Sequence, residues 1–500
     1  MVVTSQKIDD VIEVGGNSLK NHPAPQQKTG IPKLDEVLNG GLPKYSVTLL
    51  AGMSGTGKTV LSFQWLFEGV KQGENGIYIS IIEPLHVAVK NIETMEFYDK
   101  EAIEQKKLML VNIEEDLNYE KFDAQSLLIH IKRLVEENNA KRLVIDPITT
   151  IIHAINDKAK ETHFMIALKK VLAALECTTI LTSNVAEPKK YSAYTIEEIV
   201  SDGIILLSYS IGENQLIRKL NVIKMRGINF RSGEVTFDIT SSGIILYPKI
   251  PIDRSVATTE FKNRLNTGIK ELDSICGGGF PQGHVVMLSG NSGSGKTTLA
   301  LQFLNEGLEN GEGAVYVALE ESASQIKKTA LEHDWDLEEY EKSGNLVFIN
   351  PSLIDMYPDK FLYEILDAVN KTNAKRTVID SMSSLESAAI DKNKLREFSI
   401  QLTGFLKSKG VTCIMTYLSE NIFGAESGQL LGKGPSNELR LSSIIDGIII
   451  LRYVEREQSV MKLINILKMR GSAHDKKIWQ FEVEKDGIKI GHVFEKYAWM

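Results

Sequence analysis

Two short runs carry most of the chemistry legible in this chain. Gly52-Met53-Ser54-Gly55-Thr56-Gly57-Lys58-Thr59 and Gly290-Asn291-Ser292-Gly293-Ser294-Gly295-Lys296-Thr297 both spell G-x-x-x-x-G-K-T. Glycines so spaced let the backbone curl until successive N–H groups point at one phosphate. A helix starting at the lysine, through Val60 or Thr298, adds the partial positive charge of its N-terminus. Lys58 and Lys296 are expected on the β- and γ-phosphates of ATP, and Thr59 and Thr297 on Mg2+. The metal also needs a carboxylate. Asp146 and Asp380 close the runs Arg142-Leu143-Val144-Ile145 and Arg376-Thr377-Val378-Ile379, which places them in the crevice where open α/β sheets bind ligands. An aspartate there also serves as a helix N-cap.

A second set of residues suits proton transfer. Glu320-Glu321 follow the apolar run Ala314 to Leu319, and paired carboxylates beside a phosphate cradle suit a general base. Glu320 is also expected near the metal, with Thr297 and Asp380. The matching pair in the first half is Ile82-Glu83. Isoleucine neither binds a metal nor accepts a proton, so Glu83 stands alone there. The bland alternative for all three acids is a favourable first-turn position on a helix. Lys224 and Arg226, with Lys468 and Arg470, follow apolar strands and are candidates for fingers on a neighbouring subunit's γ-phosphate; otherwise they form a basic sheet rim.

The elements that must hold these groups come in two copies. Thr29-Gly30-Ile31 returns as Thr267-Gly268-Ile269, Gly40-Gly41-Leu42-Pro43 as Gly278-Gly279-Phe280-Pro281, and Lys58 as Lys296, all one 238-residue step apart. Lys224-Met225-Arg226-Gly227 returns as Lys468-Met469-Arg470-Gly471 after 244. A drift of six residues over so long a stretch means two copies of one fold. In each copy short apolar runs alternate with helical patterns, which predicts an α/β domain with a mostly parallel sheet. The expected boundaries are a flexible arm over 1–25, a first domain over 26–250, a linker over 251–266 and a second domain over 267–500.

With 500 residues, 43% hydrophobic and 24% charged, the chain has the composition of a globular protein of more than one domain. A formal net charge of −8 disfavours a nucleic-acid partner. Three scattered cysteines, Cys177, Cys276 and Cys413, suggest a reducing compartment. With no apolar signal core and no membrane-length apolar run, a cytoplasmic location is expected.

With these motifs in view, both copies resemble the domains of the KaiC family of tandem RecA-like P-loop NTPases. The resemblance rests on the T-G-I opening, the double-glycine turn, both P-loops, the glutamate pair, the two aspartate-ending strands and the K-M-R-G segments, and runs from Lys28 to about Tyr497. It implies a homohexameric double ring with ATP at the subunit interfaces. Lys224, Met225 and Arg226, and Lys468, Met469, Arg470, Ser472 and His474, would then lie at a neighbour's nucleotide. It also implies autophosphorylation of adjacent hydroxyls in the second domain, where Ser442 and Ser443 stand before Asp446. The repeat supports this reading independently, since the same two places in the first copy are Glu198 and Ile199. The serines otherwise shape a turn.

Departures from the family pattern include Ile82, Ile228, Phe230 and the segment Gly428–Asn437. A KaiB-like partner is admitted by the resemblance, while the short segment after Gly491 argues against KaiA-type regulation. Two other readings share these motifs: a RecA-like ATPase acting on DNA, and a nucleotide-gated scaffold without kinase activity.

Overall fold

The computed structural model describes residues 25–113, 123–185, 195–211, 216–251, 263–352, 357–388, 392–419, 444–456 and 459–494. Most of the expected arm (1–24), residues 252–262 of the expected linker, Gly428–Asn437, and Ser442 and Ser443 lie outside the described residues. The chain divides into two compact units between Pro248 and Lys249.

The first unit is built on nine strands. These are β1 (Val47–Gly52), β2 (Asn75–Ser80), β3 (Leu108–Asn112), β4 (Ala140–Asp146), β5 (Thr178–Asn184), β6 (Gly203–Ile211), β7 (Leu216–Met225), β8 (Glu234–Thr240) and β9 (Gly243–Tyr247). Their order across the sheet is β9-β8-β7-β6-β1-β5-β4-β2-β3. The six from β6 to β3 run parallel, and β7, β8 and β9 continue as an antiparallel meander. Every residue of β1 is buried, as a strand covered on both faces requires. Helix α1 (Lys58–Lys71) follows the loop after β1 and sinks Leu61, Phe63, Trp65, Leu66 and Phe67 against the sheet. There Phe63 stacks on Tyr78 with centroids 4.2 Å apart. Helix α2 (Ile148–Ile155) leaves the end of β4.

The second unit repeats the plan. Its strands are β10 (Val285–Gly290), β11 (Gly313–Ala318), β12 (Leu346–Ile349), β13 (Ala374–Asp380), β14 (Thr412–Leu418), β15 (Gly447–Arg456), β16 (Ser459–Met469), β17 (Trp479–Glu484) and β18 (Gly487–Val493). They are ordered β12-β11-β13-β14-β10-β15-β16-β17-β18. Helix α3 (Lys296–Glu309) follows its P-loop and α4 (Met382–Ala388) follows β13. The strands lie where the apolar runs announce them, with bounds that shift by a residue or two: the first P-loop strand extends through Ala51 to Gly52, and β11 ends at Ala318, one residue before Leu319. Among the described residues no helix is long and apolar enough to cross a membrane.

Candidate nucleotide site and its asymmetric glutamates

In both units the strand order sets the site. One strand, β5 or β14, separates the P-loop strand from the strand that ends in aspartate, and the next strand along, β2 or β11, leads to the glutamate position. All these strands are parallel, so their carboxyl ends open on one edge.

The loop itself depends on glycine. Gly57 and Gly295 take φ of 102° and 96°, a region other residues enter only with strain, and a Cβ on Gly57 would lie 2.8 Å from Ile239 Cδ1. Ser54, Gly55, Ser292 and Gly293 form the exposed crests of the loops. Thr56 is buried with its hydroxyl donating to Met53 O at 2.8 Å. Ser294, at the same place in the second loop, has a buried hydroxyl without a hydrogen-bond partner.

The lysines fold over their own loops. Lys58 Nζ donates to Gly52 O at 2.8 Å and Met53 O at 2.9 Å, and Lys296 Nζ to Gly290 O at 2.9 Å and Asn291 O at 2.8 Å. Burial pulls the Lys58 ammonium down to about 8, against the opposing pull of Asp146. Lys296 is lowered for the same reason, with Asp380 and Glu320 opposing. A buried cation held by carbonyls is a site that welcomes an anion.

Each terminal aspartate collects three hydroxyls. Asp146 accepts from Thr59 (3.2 Å) and Tyr78 (2.7 Å) on Oδ2 and from Thr182 (2.5 Å) on Oδ1. Asp380 accepts from Thr297 (2.9 Å) and Tyr316 (2.8 Å) on Oδ2 and from Thr416 on Oδ1. Burial first, and the aspartate second, push both tyrosine hydroxyls well above their usual range, so they remain protonated donors. Sequence reasoning missed the tyrosines and Thr182 and Thr416, although both kinds recur in the repeat. The adjacent threonine and aspartate fit Mg2+, which takes few protein oxygens and fills its shell with water and phosphate. Among the described residues no group of three or more His, Cys, Asp or Glu gathers as a metal centre.

The glutamate positions differ between units. Glu320 Oε1 accepts from Ser381 Oγ at 2.5 Å and from Ser384 Oγ at 2.6 Å. Glu321 is raised by burial, then by Asp380 and Glu320. In the first unit Ile82 stands 56% exposed where Glu320 would be. Glu83 accepts from Asn91 Nδ2 at 3.2 Å and is raised by burial and then by Asp146.

This duplicated geometry agrees with comparison to known proteins. The family described as ATPase: KaiC matches residues 27–250 and again 265–494. The chain belongs to the KaiC family. It is 30% identical over 479 residues to the circadian clock protein KaiC3 of Synechocystis sp. (strain ATCC 27184 / PCC 6803 / Kazusa), covering 93% of this chain and 92% of that one. The circadian clock oscillator protein KaiC of Parathermosynechococcus lividus is 31% identical over 484 residues (95% and 86%). That of Prochlorococcus marinus subsp. pastoris (strain CCMP1986 / NIES-2087 / MED4) is 32% identical over 483 (94% and 91%). Both units are therefore RecA-like α/β domains of a tandem KaiC-family ATPase.

The K-M-R segments, which the KaiC resemblance assigns to a neighbour's nucleotide, are divided in role by the fold. Lys224 Nζ caps the carbonyls of Glu198 (3.0 Å) and Ser201 (2.7 Å), and Lys468 Nζ that of Ile445 (2.8 Å). Met225 and Met469 are core side chains, packed where a Cβ on Gly203 or Gly447 would collide. Arg226 and Arg470 stay more open, 3.9 Å from Asp202 and 3.6 Å from Asp446. Ser472 Oγ donates to Cys276 O at 3.2 Å, and His474 Nδ1 lies 3.4 Å from Ser472 O. Ile228 and Phe230 pack against the core of the first unit.

Proposed function

We propose that the chain forms a homohexameric double ring that binds Mg-ATP between subunits, and that its second unit transfers phosphate to Ser442 or Ser443 of a neighbour. The observation that carries this reading is the asymmetry of the glutamate position. Glu320 stands beside the Lys296–Thr297–Asp380 cluster, and Ile82 takes its place in the first unit. A hydroxyl acceptor needs a base, and the same half of the chain holds both the base and the two serines.

Lys296 neutralises the β- and γ-phosphates, and Thr297 and Asp380 hold Mg2+, which screens phosphate charge when bound. Glu320 takes the proton of the serine hydroxyl as its Oγ bonds to the γ-phosphorus and the bond from that phosphorus to the departing ADP breaks. Water at the same place gives hydrolysis instead. Arg470 of the adjacent subunit offsets the charge that develops. In the first unit Lys58, Thr59 and Asp146 bind nucleotide in the same way, but without a Glu320 equivalent the unit serves mainly assembly, with slow turnover left to Glu83. The family supports a cytoplasmic protein and admits a KaiB-like partner.

The test is phosphosite mass spectrometry on protein incubated with Mg-ATP, with Lys296→Ala as control. Phosphate on Ser442 or Ser443 that vanishes in the control is expected. ATP hydrolysis with no phosphoserine would leave a ring ATPase without kinase activity.

A further inference from the structure

The hydroxyls around Glu320 are ordered by proton count. A serine carries one hydroxyl proton. Those of Ser381 and Ser384 both go to Glu320 Oε1, so the 3.2 Å approach of their own oxygens is not a hydrogen bond. Ser383 Oγ lies 2.8 Å from Ser381 Oγ and accepts from Leu418 N at 3.1 Å. With the Ser381 proton committed, Ser383 must be the donor to Ser381. The chain therefore runs one way, from the Leu418 N–H at the end of β14, through Ser383 and Ser381, to the carboxylate. Ser384 arrives as a second, separate donor from the first turn of α4.

We infer that Ser381 and Ser384 are positioning residues that fix Glu320 for proton transfer by holding one carboxylate oxygen and leaving the other to face the nucleophile; this rests on the reading of Glu320 as the base. Two donors on one oxygen restrict rotation of a side chain that is otherwise exposed at a strand end. Donors aligned in series polarise one another. The first unit supports the pairing by contrast. Where Ile82 replaces the glutamate, Pro147 stands at the place of Ser381 and delivers no hydroxyl, and Thr150 at the place of Ser384 finds no carboxylate at Ile82. Glutamate and buried serine are present together in one copy and missing together in the other.

The experiment is steady-state ATP hydrolysis by the full chain, taking as signal the turnover above that of Glu320→Gln. Ser384 is the first target because its hydroxyl is on the exposed side of the cluster, and thermal melting confirms that the variant folds. Ser384→Ala is expected to lower kcat about tenfold, the scale of one lost hydrogen bond to a charged group, with KM for ATP held within about twofold. Ser384→Thr is expected to retain most of the activity, and Ser384→Ala in the Glu320→Gln background to have no further effect. Unchanged kcat, a rise in KM alone, or an equal loss in both backgrounds would overturn the positioning role while leaving Glu320 as base. Wild-type turnover in Glu320→Gln would overturn the base itself.

Discussion

Arg142 is fully buried with its Nε 2.7 Å from Glu74 Oε2, and the same pair returns as Arg376 and Glu312 at 2.6 Å. Each guanidinium also closes a backbone seam. Arg142 Nη1 donates to Lys28 O at 3.0 Å and Trp65 O at 2.6 Å, and Arg376 Nη1 to Asn266 O at 2.6 Å and Phe303 O at 2.7 Å. The guanidinium carbon sits 5.2 Å from the Trp65 ring centroid in one unit and 4.6 Å from that of Phe303 in the other. Gly69 and Gly307 give it room, since a Cβ at either would overlap the arginine side chain. One residue thus ties the aspartate-ending strand, the P-loop helix and the start of the domain together.

Removing the carboxylate leaves a buried cation with carbonyls and an aromatic ring but without its ion-pair partner. Glu74→Ala should destabilise the first unit by about 3 kcal/mol, the lower end of the cost of breaking a buried ion pair, because Glu74 itself is partly exposed. Glu312→Ala should do the same to the second unit. Denaturant unfolding followed by hydrogen exchange, which reads each unit separately, checks this. Equal protection of the targeted unit in variant and wild type would mean that the carbonyls and the ring hold the arginine without the ion pair.

The P-loops, the alternation of strand and helix and the duplication were legible because their signals are local and periodic. Tyr78 and Thr182 were not, because each meets Asp146 only after the parallel sheet has set β2 and β5 on either side of β4. Lys224, Arg226, Lys468 and Arg470 are finger candidates in the sequence from their charge, their place after apolar strands and the family resemblance, with a basic sheet rim as the alternative. The fold shows that the lysines cap carbonyls of their own chain, something charge and spacing do not encode. Ser381 and Ser384 carry no pattern in the sequence, and their direction toward Glu320 comes from the turn between β13 and α4.

Burial of Lys58 gives a pH dependence with a definite sign. In the nucleotide-free protein its ammonium is pulled from 10.5 to about 8, whereas bound phosphates favour the charged form. Above pH 8 the free site has lost the proton that binding must restore, so affinity falls as pH rises, toward tenfold per unit. Stability of the nucleotide-free unit moves the other way. The unfolded chain holds the extra proton between about 8 and 10.5, so this lysine's contribution to stability rises with pH across that window. Fluorescent ATP-analogue titrations at pH 7, 8 and 9 in a Lys296→Ala background, at fixed free Mg2+, isolate the first site. A flat profile would show that Lys58 is charged before ATP arrives.

Ile82 offers a gain-of-function test. The side chain is 56% exposed, so glutamate can be placed there without burying a charge. Ile82→Glu should raise hydrolysis in a Lys296→Ala background several-fold, since a positioned base is worth about 10²-fold or more and this one lacks the serine support. Phosphate release assays read it directly. An unchanged rate would assign turnover in the first unit to Glu83 or to a step other than proton transfer.

If Arg470 acts on the neighbour's nucleotide, activity should be recoverable by mixing two dead proteins. Arg470→Ala keeps an intact P-loop but offers no finger; Lys296→Ala offers the finger but has no working P-loop. Alone, each should fail to phosphorylate Ser442 or Ser443. In rings assembled from equal amounts, an interface that pairs the Lys296 of one variant with the Arg470 of the other is complete, and random head-to-tail assembly makes about a quarter of interfaces so. Phosphoserine in the mixture near that fraction of wild type, dependent on co-assembly from monomers, places the arginine in trans. Mixtures as inactive as their components would confine Arg470 to its ion pair with Asp446, and the subunit interface would then lose its claim on the chemistry.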